Sequence, residues 1–148
     1  DVTERMVINS SGHVTKPATP FFSVYGSASN QTYNQGDIIT FENAVQNVGN
    51  HFKMTSGTGQ YQRFIAPVAG VYHFIHFMGL RGAHNNFCSI HLDKNGALYL
   101  DGWDTSTHGS VHGHITVSAY MQLAVGDIIR AGWYTPYNAP STGAIWHN

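Results

Sequence analysis

The 148-residue chain has little charge and a single cysteine, Cys88. Charged residues make up 10% of it, against about 25% in an average soluble domain. One cysteine excludes an internal disulfide framework and a thiolate zinc cage. The formal net charge of −1 gives no basic surface for nucleic acid or an anionic membrane, so neither is a predicted partner. No apolar run reaches the roughly 18 residues of a membrane span, and there is no Gly-x-y repeat.

Aromatic and turn-forming residues, by contrast, are abundant. Aromatics are 13% and hydrophobic residues 42% of the chain, which does not fit disorder, since disordered chains combine few aromatics with high net charge. Glycine and asparagine recur every roughly eight to twelve residues, the rhythm of short strands in a sandwich or barrel. No stretch carries a sustained helical stripe of apolar residues. The length predicts one domain, and the residue pattern predicts that this domain is all-β.

Eight stretches alternate or run apolar and are predicted to be strands. They cover residues 21–26, 37–41, 60–65, 70–79, 87–92, 97–100, 111–123 and 127–134. Asn95-Gly96, between the fifth and sixth stretches, is a strong hairpin signal. Eight to ten antiparallel strands in two sheets suit a jelly roll.

The first twenty residues differ from the rest. Pro17 and Pro20 favour extended backbone in the residues before them. We therefore predict that residues 1–20 form an arm or connector from an upstream shaft, and that residues 21–148 form the head domain.

The stretch from Phe64 to Phe74 resembles the signature of the complement component one-q globular head family. The motif positions, at the family's spacing, are Phe41, Asn47, Phe52, Phe64, Pro67, Gly70, Tyr72, Phe74 and Gly126. The Lys94-Asn95-Gly96 hairpin and the Gly126-Asp127 turn also match. This resemblance implies an antiparallel two-sheet jelly roll, shared with tumour necrosis factor, that assembles as a homotrimer. His76 departs from the pattern, since an aromatic is expected there, and the family's closing strand is not evident.

The N-terminal segment carries a second, shorter resemblance. Residues 5–17, followed by Pro20-Phe21-Phe22, are similar to the lead-in of head domains that end the tail fibres of marine bacteriophages. The prediction is an extracellular, trimeric head on the virion that binds a host-surface glycan or protein and is not an enzyme. Two alternatives are a secreted lectin-like or immune module of the same fold and a purely structural trimerisation cap.

His112 and His114 form the most pointed local motif. Residues two apart in a strand share a face, so both imidazoles point the same way. In a trimer with this face on the axis, six nitrogens would suit iron, nickel or a similar transition ion. The opposite face, Ile115 to Leu123 at every second position, is predicted to be core. The alternative is that both histidines are solvated on an outer sheet face.

Aromatic and acidic residues in polar segments are the candidate ligand-binding residues. Trp103 is predicted to lie in a polar turn, and the candidates are Trp103, Asp101, Asp104 and Tyr137. Aromatic rings stack on sugars while neighbouring carboxylates bind hydroxyl groups. Alternatively, the C-terminal aromatics belong to the final sheet and the trimer interface. Cys88, between apolar residues, is predicted to be a buried small hydrophobe.

Overall fold

The structure is a computed structural model and describes residues 6–16, 19–26, 33, 36–54, 61–80, 88–104 and 113–134. These residues form eleven strands and one 3-10 turn, Val48–Asn50. The strands are β1 Val7–Ile8, β2 Val14–Thr15, β3 Phe22–Tyr25, β4 Asn43–Asn47, β5 Phe52–Lys53, β6 Arg63–Ile65, β7 Gly70–Leu80, β8 Cys88–Lys94, β9 Ala97–Asp104, β10 Gly113–Leu123 and β11 Ile128–Tyr134. None of the described residues forms a helix long and apolar enough to cross a membrane.

One layer of the fold is a five-stranded antiparallel sheet in the order β5-β6-β11-β8-β9. The segment around Ile38 lies along the same edge of β11 as β6, and it forms a single bridge to Gly132. The strand predicted over residues 37–41 is therefore wrong in extent. The pairing ends at Ile39, whose N–H donates to the carbonyl of Ala131 at 2.9 Å. Beyond it the edge of β11 is occupied by β6, and the buried Gln62 side chain bonds both backbone groups of Phe41, at 2.8 Å and 3.1 Å.

The other layer is dominated by β7 and β10, which pair over eleven residues from Gly70↔Leu123 to Leu80↔Gly113. Both long strands were predicted, and within the described residues β10 is one strand. A shorter pair, β3 with β4, forms a separate two-stranded sheet. We did not predict β4 because its sequence, Asn-Ala-Val-Gln-Asn, has no apolar alternation, and four of its five residues are exposed.

The core lies between the two layers and is built by alternation along the strands. Its buried members include Phe52, Phe64, Phe74, Met78, Ile90, Leu92, Met121, Leu123, Ile129 and Trp133. At Gly102 of β9 the layers approach so closely that a Cβ would lie 2.6 Å from Val117 Cγ1. Glycine is needed there because any side chain would overlap the opposite sheet.

Several motif residues have structural roles in the fold. Asn47 holds the Phe52 backbone from both sides, because its Oδ1 accepts from Phe52 N at 3.1 Å and its Nδ2 donates to Phe52 O at 2.7 Å. The Tyr72 hydroxyl donates to the carbonyl of Val68 at 2.8 Å. Pro67 precedes β7, and Gly70 is its first residue.

The hairpin and turn motifs interlock. Asn95 Nδ2 donates to Asp127 Oδ1 at 2.9 Å, and Asn95 Oδ1 accepts from the backbone of Ile128 at 2.8 Å. Lys94 Nζ lies 2.9 Å from Asp127 Oδ2. These bonds hold the pKa of Asp127 at about 2, below its ordinary 3.8; the bond from Asn95 contributes most. We call this arrangement the hairpin clip. It ties β8 and β9 to the turn that joins β10 to β11.

Ahead of the sandwich, β1 and β2 form a small hairpin. Asn9 closes its turn, since its Oδ1 accepts from the backbone of Ser11 at 3.0 Å and of His13 at 2.9 Å. The predicted arm thus contains regular structure of its own. The division into arm and head stays a prediction.

Candidate binding and assembly faces

The outer side of the β7–β10 pair exposes several large apolar and aromatic side chains. Its members, which we call the long-strand face, are Val71, His73, Ile75, Phe77, His114, Thr116, Ser118, Tyr120 and Gln122. Val71, Ile75 and Tyr120 are 67%, 66% and 71% exposed. Monomeric proteins rarely expose such contiguous apolar surface without a partner for it.

The centre of the long-strand face is ordered by side-chain contacts. The ring of His73 stacks on Tyr120 with 4.3 Å between centroids and 12° between planes. His73 Nε2 also lies 2.8 Å from Ser118 Oγ. Both partners are on β10. Tyr120 pairs directly with His73, and Ser118 lies two residues away from Tyr120 on the same face. These contacts hold a flat aromatic and apolar surface in one conformation.

His114 lies near one end of this face. It is exposed, it pairs in register with Gly79, and its ring is 5.8 Å from that of Phe77. The predicted division of β10 is confirmed, with Ile115, Val117, Ala119, Met121 and Leu123 buried. His112 lies outside the described residues, which contain no cluster of three metal-ligating side chains within one chain. An axial metal site stays a prediction.

The opposite layer carries a polar groove on its outward side, with a volume of about 640 Å³. Its lining, which defines the polar groove, is Gly36, Ile38, Ser89, His91, Asp93, Gly96, Leu98, Asp101, Arg130 and Tyr134. In register, His91 stands between Gly132 of β11 and Asp101 of β9. Because the neighbouring residues Ile90 and Leu92 point into the core, His91 must point outward.

A missing side chain shapes the floor of this groove. A Cβ on Gly132 would overlap the His91 imidazole, so glycine leaves the space across which the ring lies. Burial lowers the pKa of His91, and the carboxylates of Asp93 and Asp101 partly oppose that change. His91 is therefore neutral at neutral pH, and it offers one nitrogen as donor and the other as acceptor.

The charged groups in the polar groove differ in their pairing. Asp93 is buried; its Oδ1 accepts from Gly96 N at 3.1 Å and lies 3.5 Å from Arg130 Nε. Asp101, by contrast, makes no hydrogen bond or ion pair within the described residues, and its carboxylate acts on His91 by raising the pKa of that imidazole. The groove thus holds one compensated pair and one carboxylate with free acceptor capacity.

Of the predicted ligand-binding residues, the structure places only one in the described lining of the polar groove. Asp101 lines the polar groove. Trp103 and Asp104 lie in β9, where their backbones pair with Ser89 and Cys88, so the predicted polar turn is wrong. Gly102 does not break the strand there but lets it pack closely on β10. The side chains of Trp103, Asp104 and Cys88, and all of Tyr137, lie outside the described part of the chain.

Sequence reasoning missed most of the groove. Ser89, His91 and Asp93 are polar at every second position of β8. This spacing marks one polar face of a strand, and it was the signal that could have found them. Arg130 and Tyr134 stand at matching positions of β11, in register with Asp93 and Ser89.

A further titratable side chain, that of His76, lies between the layers. His76 is buried and meets the ring of Phe41 edge-on, with 5.9 Å between centroids. It lines a cavity of about 270 Å³ with Phe22, Phe52 and Phe74. His73 makes a hydrogen bond, but Nε2 of His76 has no hydrogen-bond partner among the described residues. Burial, and secondarily His91, lowers the pKa of His76 to about 4.

Comparison with known proteins gives a family match and a match to a solved structure. A family model described as the C1q domain matches residues 21–134. The globular domain of the zebrafish complement 1qA protein superposes with a TM-score of 0.62 and 22% sequence identity, over 78% of this chain and 85% of that chain. The predicted antiparallel jelly roll is confirmed by both. No curated protein matches the sequence.

Proposed function

Because this chain belongs to the C1q domain family, we propose that it is the homotrimeric receptor-binding head of a bacteriophage tail fibre. C1q domains are non-catalytic binding modules that form trimers and bind ligands. The proposal adds that three copies of this chain pack through the long-strand face, outside the cell, and that the assembled head attaches to a receptor on the host surface.

The long-strand face carries this proposal. Val71, Ile75, Phe77 and Tyr120 are each at least half exposed in one chain, although they are large and apolar or aromatic. Interface cores are rich in such residues and poor in charge, and none of the nine members of this face is Asp, Glu, Lys or Arg. Packing against two neighbours would remove these side chains from water, which is favourable in proportion to the area buried.

The low charge of the whole chain supports the same arrangement. A chain whose sheet faces are buried once in its own sandwich and again against neighbouring copies has less surface to solvate. Fifteen Asp, Glu, Lys and Arg residues in 148 are few for a monomer but suit a protomer of a closed assembly. The placement on a tail fibre is supported by the lead-in segment, residues 5–17.

The test combines particle mass with adsorption. We expect the head to sediment at about three times 16.3 kDa and to compete with phage for host cells. Ile75→Asp should reduce the mass to that of one chain, because a carboxylate would be buried in the interface. Val45→Asp is the matched control, since Val45 is 68% exposed on β4, and it should leave the mass unchanged.

Each competing function predicts a different result. A structural cap would be a trimer that never competes for adsorption. A secreted lectin-like or immune module would be a trimer that binds a eukaryotic surface and no bacterial host. A monomer at micromolar concentration would contradict the proposal itself.

The axial metal site is a second proposal on the same face. His112 and His114 from three chains would supply six imidazole nitrogens to one transition ion. Metal analysis of untagged protein should then give one ion per three chains, lost in the double variant His112→Ala with His114→Ala. A stoichiometric metal that survives the double variant, or none in the wild type, rejects the site.

A further inference from the structure

We infer that the polar groove binds a neutral pyranose sugar, and this inference rests on the proposed function for its setting in a trimeric attachment head. The family's match to this chain assigns no ligand to this surface. Four properties of the groove favour a sugar: its hydrogen-bonding groups, its charge, its shape and its position relative to the long-strand face.

The hydrogen-bonding groups suit adjacent hydroxyls. The Asp101 carboxylate accepts only, and it has no hydrogen-bond partner in the described residues. The neutral His91 imidazole beside it, in register on the next strand, can donate or accept. Arg130 Nε lies 3.5 Å from Asp93 Oδ1, an ion pair without a hydrogen bond, and the terminal nitrogens of the guanidinium are further donors. A pyranose presents neighbouring hydroxyl groups that donate to one site and accept from the next, so it can satisfy all three side chains.

The charge of the groove selects against anions. Arg130 and Asp93 compensate each other at 3.5 Å, and the pKa shift leaves His91 uncharged. Asp101 then gives the groove a net charge of about −1. A carboxylate or phosphate on the ligand would meet this charge at close range, where like charges repel. Neutral sugars are therefore preferred over sialylated and phosphorylated sugars.

The shape of the groove suits a ring with one apolar side. A volume of about 640 Å³ is within the range of roughly 300–1,000 Å³ typical of small-ligand sites. Gly132 and the flat His91 ring form a shallow floor. Ile38, Leu98 and the exposed part of Tyr134 supply apolar surface around the polar groups. The C–H side of a pyranose can pack on these residues while its hydroxyls reach Asp101 and Arg130.

The position of the groove fits binding by the assembled head. The polar groove lies on the outward side of the five-stranded sheet, and the long-strand face lies on the other layer. Packing of three chains through the long-strand face would leave three grooves open to solvent. Weak binding of single sugars would then be strengthened by simultaneous engagement of several sites on one cell surface.

The experiment uses the intact chain on an array of neutral, amino and sialylated oligosaccharides, followed by calorimetry with the neutral monosaccharide that competes best. Asp101→Asn keeps the size of the side chain but removes the charge-assisted hydrogen bonds, so affinity should fall about tenfold or more. Gly132→Ala should weaken binding similarly, because its Cβ displaces the His91 ring without changing any polar group. Glu42→Gln removes one negative charge outside the groove and should leave affinity unchanged.

The outcomes separate this inference from the proposed function. Equal binding of neutral sugars by wild type, Asp101→Asn and Gly132→Ala would overturn it, as would binding of sialylated sugars only or of no sugar. A trimer that adsorbs to host cells but binds neutral sugars no better than its Asp101→Asn variant overturns the groove and leaves the proposed function standing. A chain that binds neutral sugars through Asp101 but does not compete for adsorption supports the groove and contradicts the proposed function. Circular dichroism of each variant establishes that loss of binding is not loss of fold.

Discussion

The long-strand face and the polar groove cover opposite layers of one sandwich, yet their chemistry differs. On β7 the outward positions hold Val71, His73, Ile75 and Phe77, and a hydrogen bond joins His73 to Ser118 on β10. In the polar groove, Asp101 has acceptor capacity left over. One face presents mostly apolar and aromatic surface without charge, while the other holds, at a depression, a carboxylate that has no hydrogen-bond partner in the described residues.

This difference teaches that the fold alone does not assign a role to either face. Both faces arise from the same strand alternation over the same core, and only the residue types at outward positions differ. An apolar, uncharged face suits a protein partner of the same shape, such as another copy of the chain. A depression with unused donors and acceptors suits a small polar ligand.

The largest expected effect concerns the core that both faces share. In the unfolded chain His76 protonates near its ordinary pKa of 6.5, whereas in the folded chain burial delays protonation to about 4. Stability should therefore fall as the pH drops from about 6.5 to 4, by about 3 kcal/mol from this residue. Urea denaturation at a series of pH values across this range measures the decline. The trimer mass and the sugar binding, followed over the same pH values, should be lost together.

Two variants isolate the titration of His76 from its polarity. His76→Phe restores the aromatic expected at this position, and His76→Gln keeps a polar group that does not titrate. Both should flatten the decline of stability between pH 6.5 and 4. If Phe and Gln variants keep the wild-type slope, the buried imidazole is not its source. If trimer mass and sugar binding are lost at different pH values, the two faces do not depend on one cooperative core.

The next effect compares two glycines on opposite sides of the five-stranded sheet. Gly102→Ala places a Cβ 2.6 Å from Val117 Cγ1 and 3.3 Å from the carbonyl of Thr116. Overpacking of this kind costs about 1–3 kcal/mol, measured as the change in free energy of unfolding. Gly132→Ala meets only the end of the His91 side chain, which can rotate away, so it should cost less stability while weakening sugar binding.

The reverse ranking would break the comparison. If Gly132→Ala destabilised the fold more than Gly102→Ala, the His91 ring would be part of the packed structure rather than the floor of a ligand site. Sugar binding lost equally in both variants, at temperatures where both are folded, would point the same way.

The smallest effect concerns the hairpin clip, which lies at the end of both layers. Asp127 protonates in the unfolded chain near 3.8 but in the folded chain only at about 2. Its contribution to stability is therefore present above pH 3.8 and is lost as the pH falls through about 2. Asp127→Asn should lower the midpoint of urea denaturation slightly at pH 7 and reduce the further loss between pH 4 and 2. An unchanged midpoint and an unchanged acid profile would mean that the clip is not a stabilising contact.

The sequence was informative wherever local pattern decides structure. Long alternating runs predicted β7 and β10, and Asn95-Gly96 predicted the β8–β9 turn. Prediction failed where a tertiary contact overrode the local signal. Gly102 looks like a turn residue but serves a close approach of two sheets, and the backbone of Phe41, predicted to lie in a strand, bonds to the side chain of Gln62, twenty-one positions away. The groove was missed because its polar residues come from strands distant in sequence.

Footprinting of the side chains by hydroxyl radicals tests the assembly through the long-strand face most directly. Tyr120 and Tyr61 are 71% and 46% exposed in the single chain, so in a monomer Tyr120 should be oxidised at least as readily as Tyr61. In a trimer packed through the long-strand face, Tyr120 and Phe77 should be protected several-fold, and dilution or Ile75→Asp should restore their oxidation while Tyr61 stays constant. Full oxidation of Tyr120 and Phe77 in a particle with the mass of three chains would contradict the account.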